Sequence, residues 1–182
     1  MVSTKQCSMK TEKGYIHVYT GNGKGKTTAA LGLALRATGA GKTVFFAQFV
    51  KGKEYAELKA LREYIPGIEV RQYGRDCFIH KVPGQEDIDA AVNGLKEVAG
   101  ILAAGRYGVV VLDEACIALY YNLFTIDDLL SVLRNRHPGT EVIITGRNAP
   151  KKLLEEADLV TEMQEIKHYW TRGVEARPGI EY

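Results

Sequence analysis

Hydrophobic residues recur along this chain in two alternating patterns. Short runs rich in valine and isoleucine occur at residues 15–20, 43–50, 68–72, 108–113, 141–145 and 159–162. Runs that are mostly apolar on both faces predict the buried strands of a parallel sheet. Longer segments between them, at 26–38, 55–64, 85–104, 126–136 and 151–157, predict helices. In the second, third and fourth of these, the apolar positions gather on one helical face. Gly39-Ala40-Gly41 and Pro138-Gly139 read as helix stops. Strands alternating with helices of this length imply βαβ units, hence an α/β fold with a mostly parallel sheet flanked by helices. Residues 1–13 are polar and predict a flexible N-terminal arm, and 14–182 predict a single domain. Two stretches break the alternation, 73–84 and 166–182. Irregular segments at sheet ends are where α/β proteins build sites.

Composition narrows the class. The chain has 182 residues and a net charge of +2, with 46% hydrophobic and 25% charged residues. That is ordinary for one globular domain with a full core. No basic run reads as a nucleic-acid arm, and no apolar run is long enough to span a bilayer, so neither partner is expected. Lys5 and Lys10 are followed by no apolar stretch, so a signal peptide is not expected and a cytoplasmic enzyme is. Cys7, Cys77 and Cys116 form no C-x-x-C pair, which argues against a disulfide framework or a zinc ribbon. Each reads as a core or inert thiol. The sole tryptophan, Trp170, reads as packing of the tail on the sheet.

The chemistry begins after the first strand, in "YTGNGKGKTTAALG". A strand, a glycine-rich turn and a helix starting at Lys26 are the context a phosphate loop requires. Glycines let several backbone N–H groups converge on one anion, and the helix start adds partial positive charge. Lys26 and Lys24 supply point charges for phosphate oxygens, Thr27 a hydroxyl for Mg²⁺, and Thr28 a further donor. One spacing is unusual. The common pattern G-x-x-x-x-G-K-[ST] would put the first glycine at position 20, which is Thr20, and it stands instead at Gly21. "VVVLDEA" adds a buried strand ending in Asp113-Glu114. In parallel phosphate-loop sheets such a carboxylate completes the Mg²⁺ site. Spacing leaves open which of the two touches the metal. A P-loop NTPase (RecA-like) architecture binding ATP or GTP with Mg²⁺ is therefore expected. The reaction stays open between an ATPase, a nucleoside kinase, a non-catalytic carrier and another transfer.

The same residues resemble the P-loop corrinoid adenosyltransferases of the ATP:cob(I)alamin type. The run from Tyr19 to Gly52 is similar to their N-terminal signature, shortened glycine loop included. "VVVLDEA", "VIITGRNAPKKLLEEADLVTEM" and the ending "IKHYWTRGVEARPGIEY" resemble their later motifs in the same order, so the likeness covers nearly all of 14–182. It implies that ATP lies reversed relative to ordinary P-loop enzymes, which exposes the ribose 5′-carbon. Co(I) of a reduced corrinoid would attack that carbon and expel triphosphate. Asn22, Gly23, Lys24, Gly25, Lys26, Thr27 and Thr28 would hold ATP, Arg36 fits either a nucleotide contact or a solvated helix charge, and Thr27 and Glu114 would bind Mg²⁺. Lys26 would act in catalysis by meeting the charge of the leaving triphosphate. Phe78 would pack below the cobalt and displace its lower ligand, while His80 stands where some members carry tryptophan. A flavoprotein reductant and a homodimer are also implied by the resemblance. For Arg147 in "TGR", a nucleotide contact and a structural ion pair both fit. His17 reads as structural and His137 as solvated in the turn before Pro138, while His168, part of the tail that resembles the family, also fits a strand cap.

Overall fold

The computed structural model describes residues 13–53, 55–75 and 82–182. Six strands, β1 (Ile16–Thr20), β2 (Val44–Phe49), β3 (Ile68–Tyr73), β4 (Val109–Asp113), β5 (Glu141–Thr145) and β6 (Leu159–Glu162), form one sheet in the order β3-β2-β4-β5-β1-β6. Every neighbouring pair is parallel. The helices are α1 (Lys26–Gly39), α2 (Ala56–Tyr64), α3 (Gln85–Ala104), α4 (Ala115–Tyr120), α5 (Ile126–Arg134) and α6 (Lys151–Glu156). A 3₁₀ turn spans Tyr169–Arg172.

Two cores sandwich the sheet. On one face Phe45, Val110, Leu112 and Ile144 pack with Leu95, Val98 and Leu102 of α3 and Leu129 and Leu133 of α5. On the other, Val44, Phe46, Val111 and Ile143 meet Ala30, Ala34 and Ala37 of α1 and Leu61 of α2. The three alanines let α1 lie close to the strands, which brings its first turn to the sheet's C-terminal edge. Strands β2 and β4 are buried at every position, as their unbroken apolar runs predict.

Three expectations change. All four residues of β6 are exposed, because it is an edge strand paired on one side only. The short helix α4 was not anticipated. The stretch "ACIALY" has no element assigned from its sequence; Glu114 adopts a left-handed φ of 58° and turns the chain into a helix. Trp170 does not pack on the sheet; it is 72% exposed. No helix among the described residues is long and apolar enough to cross a membrane.

Candidate functional site

The loop between β1 and α1 is held in a shape only glycine permits. Gly21 and Gly25 have φ of 94° and 119°. A Cβ on Gly21 would stand 2.4 Å from the Met163 carbonyl oxygen. That carbonyl accepts the Gly23 N–H at 2.7 Å, and Met163 N–H donates to Thr20 O at 2.8 Å. The exit of β6 thus buttresses the loop. Gly25 caps α1 without a side-chain hydrogen bond, and the first turn carries no acidic residue. The first N–H groups of this helix are left for an anion. Lys26 is 7% exposed. Its ammonium donates to the carbonyls of Gly21 at 2.7 Å and Gly23 at 2.8 Å. Burial holds its pKa below the ordinary lysine value. Among the described residues no carboxylate lies at ion-pair distance from Lys26, so its charge remains available to a ligand.

The two carboxylates at the end of β4 divide their work. Asp113 is fully buried. Its Oδ1 accepts the hydroxyls of Thr27 at 2.8 Å and Thr145 at 2.7 Å. Its Oδ2 accepts Lys51 Nζ at 2.9 Å and Gln48 Nε2 at 3.4 Å. Four donors occupy it. Burial works against the Lys51 ammonium, but the charge and hydrogen bond of Asp113 more than offset it, and the Lys51 pKa lies above its ordinary value. Glu114 is different. Its backbone N–H is tied to Thr145 Oγ1 at 3.0 Å, whereas its carboxylate has no hydrogen-bond partner among the described residues and lines the cavity. Burial first, and the Asp113 charge second, push its pKa above the usual carboxylate range. Because the Thr27 hydroxyl hydrogen points at Asp113, the lone pairs of Thr27 are free for a cation. No group of three or more His, Cys, Asp or Glu suited to a metal occurs among the described residues. One or two carboxylates with a hydroxyl match Mg²⁺, which keeps phosphate oxygens and water as its remaining ligands.

These groups open onto a cavity of 940 Å³, large enough for a nucleotide with part of a second substrate. Its other walls come from Tyr55 and Ala60, Ile117 and Tyr121, Arg147, and the tail residues His168, Ile180 and Tyr182. No residue of the 3₁₀ turn is buried, and residues 169–182 are at most half-buried. Apolar burial therefore does not hold the tail. Its hub is Glu181, which accepts Arg177 N–H at 2.8 Å and the hydroxyl of Tyr169. Lys24 Nζ donates to Glu181 at 2.7 Å and to Tyr169 Oη at 3.0 Å. Among the described residues, Lys24 carries the hydrogen bonds that join residues 166–182 to the body. Glu181→Gln is expected to loosen the tail, with faster hydrogen exchange across 168–182 and unchanged protection in the sheet. Unaltered tail exchange would show that Glu181 is not the hub.

The structure gathers Gly23, Lys24, Gly25, Lys26, Thr27, Thr28 and Glu114 around the cavity. It does not bring in Arg36, which is exposed in the last turn of α1, about 15 Å along the helix from Lys26. Asn22 is exposed at the loop tip, outside the cavity lining. Phe78, His80, Cys7 and Cys77 lie outside the described residues. Cys116 is core, its thiol pushed up to about 12 by burial. His17 is structural, paired with Glu141 at 2.6 Å. Sequence reasoning missed Lys51, Tyr55 and Glu181. Lys51 stands inside the run from Tyr19 to Gly52 and Glu181 inside the ending "GIEY", and only their side-chain partners reveal a role.

A family model described as ATP:corrinoid adenosyltransferase BtuR/CobO/CobP matches residues 12–182. The chain is 36% identical to the corrinoid adenosyltransferase CobA of Salmonella typhimurium over 182 residues, covering 100% of this chain and 92% of that protein. It is 34% identical to a corrinoid adenosyltransferase of Pseudomonas aeruginosa over 183 residues, covering 100% and 90%. An Escherichia coli corrinoid adenosyltransferase is 36% identical over 183 residues, covering 100% and 92%.

Proposed function

The chain belongs to the ATP:corrinoid adenosyltransferase family, and from that premise we propose that it transfers the 5′-deoxyadenosyl group of ATP to Co(I) of a reduced corrinoid and releases triphosphate. The observation that carries the reading is one cavity that holds a helix start without a side-chain cap, a buried Lys26 and the Glu114 carboxylate, the last two without an ion-pair partner among the described residues. In this reading the Lys26 ammonium leaves the loop carbonyls for phosphate oxygens, joined by N–H groups of the first turn of α1. Thr27 and Glu114 hold Mg²⁺, while Asp113 orients Thr27 and stays outside the coordination sphere. Bound Mg²⁺ offsets part of the triphosphate charge. Co(I) is a strong nucleophile, so the protein contributes alignment, exclusion of water and stabilisation of the leaving group. The apolar wall of Leu31, Val50, Ile117 and Ile180 suits the flat faces of the substrates. A reduced flavoprotein as electron donor and a homodimeric assembly complete the reading and rest on the family likeness.

The test is anaerobic incubation with ATP, Mg²⁺ and chemically reduced cobalamin. The expected result is the absorbance spectrum of the adenosylated corrinoid, with one inorganic triphosphate released per turnover. ADP with phosphate would instead make the protein an ATPase. No change in either substrate would make it a carrier.

A further inference from the structure

We propose that Arg147 is a catalytic residue of this transfer, its guanidinium touching the triphosphate and meeting the negative charge that develops as it leaves. The proposal rests on the adenosyl-transfer reading above. Its first support is how the chain presents the residue. Strand β5 ends at Thr145, inside the Asp113 network. Gly146 follows with φ of 137°, and a Cβ there would stand 2.8 Å from Cys116 Cβ and 3.1 Å from the Ile117 nitrogen. Only glycine passes beneath α4 at this point. Gly146 N–H donates to Tyr19 O at 3.1 Å, which pins the turn to β1. Asn148 is again left-handed, with φ of 57°. Asparagine is among the non-glycine residues that adopt this conformation most readily. Between these two residues Arg147 is exposed on the cavity wall.

The second support is charge. Lys24 is paired with Glu181 and Lys51 with Asp113. Arg147 has no hydrogen bond or ion pair among the described residues, and it is the one arginine lining the cavity. Its field bears on both Lys26 and Glu114, so it shares their space. A structural arginine would be expected to sit on a carboxylate, as Arg134 does on Glu156 at 2.8 Å. With Glu114 given to Mg²⁺, Lys26 and Arg147 are, among the described residues, the cavity cations without a carboxylate partner, matched to a polyphosphate. In the transfer, the cobalt electron pair forms the bond to the 5′-carbon. The carbon–oxygen bond to triphosphate breaks, and its electron pair leaves on that oxygen. No proton moves, and Arg147 stays protonated throughout.

The test uses the full chain with preformed Co(I) cobalamin, Mg²⁺ and ATP, comparing Arg147→Ala and Arg147→Lys with the parent. Arg147→Ala should lower kcat roughly tenfold to a hundredfold, with a smaller change in the KM for ATP. Free guanidinium ion should restore part of that loss, and Arg147→Lys should fall between the two. A kcat for Arg147→Ala within about twofold of the parent would overturn the proposal while leaving the transfer reading intact. A loss that guanidinium fails to restore, accompanied by a lower melting temperature, would return Arg147 to a structural role. A parent protein that yields no adenosylated corrinoid would overturn both.

Discussion

Lys26→Ala is expected to lower kcat by about a hundredfold to a thousandfold. The ammonium is 7% exposed and rests on two carbonyl oxygens of its own loop. Carbonyls hold a buried lysine in place but do not neutralise it. Its pKa accordingly lies below the ordinary value, with burial as the largest cause. Under the proposed transfer, a multiply charged phosphate chain would relieve that state, and most strongly as the leaving triphosphate gains charge. An interaction that strengthens in the transition state appears in kcat. Alanine removes it and leaves the Gly21 and Gly23 carbonyls without their donor, so the loop also loosens locally. The check is single-turnover adenosylation with Co(I) supplied, so that reduction cannot limit the rate. Activity within about tenfold of the parent would remove Lys26 from the phosphate site.

Glu114→Gln should combine lost activity with gained stability. Turnover should fall about a hundredfold, because a metal that offsets triphosphate charge contributes several kcal/mol. Activity should also cease to rise with Mg²⁺ in the range where the parent responds. Stability moves the other way. Burial, with Asp113 behind it, raises the Glu114 pKa in the folded chain. The native state therefore holds this proton more tightly than the unfolded one. The resulting stabilisation is fully present below the unfolded value of about 4.3 and is lost as pH rises through the folded pKa. Above that window the ionised carboxylate destabilises the fold, and glutamine abolishes the effect. Glu114→Gln should melt higher than the metal-free parent at pH 8, with the gap closing towards pH 4. Mg²⁺ with ATP should raise the melting temperature of the parent more than that of the variant. An unchanged Mg²⁺ response in the variant would assign the metal elsewhere.

Much of this architecture follows from local pattern. The unbroken apolar runs at Val44–Phe49 and Val109–Asp113 are buried along their whole length. Gln85–Ala104 forms the helix that its periodicity predicts. Glycine-rich turn, lysine and hydroxyl point to a phosphate loop because neighbours in sequence build it: Lys26 reaches back to Gly21 and Gly23. Strand order is another matter. Placing β5 between β1 and β4 puts Thr145 beside Asp113 and lets Thr27 reach the same carboxylate. That crowding occupies Asp113 and leaves Glu114 free, a division that two adjacent acidic residues do not reveal in one dimension. The Met163 buttress under Gly23 exists because edge strand β6 lies against β1. Lys24 reads as a phosphate ligand from the loop alone, yet its ammonium meets Glu181, 157 positions away. Arg36 reads as a neighbour of the loop, yet α1 carries it away from the cavity. Local pattern selects elements because backbone hydrogen bonding and side-chain periodicity act over a few residues. Which side chains meet at the sheet's C-terminal edge depends on strand order and packing, and those arise only when the two cores close on the sheet.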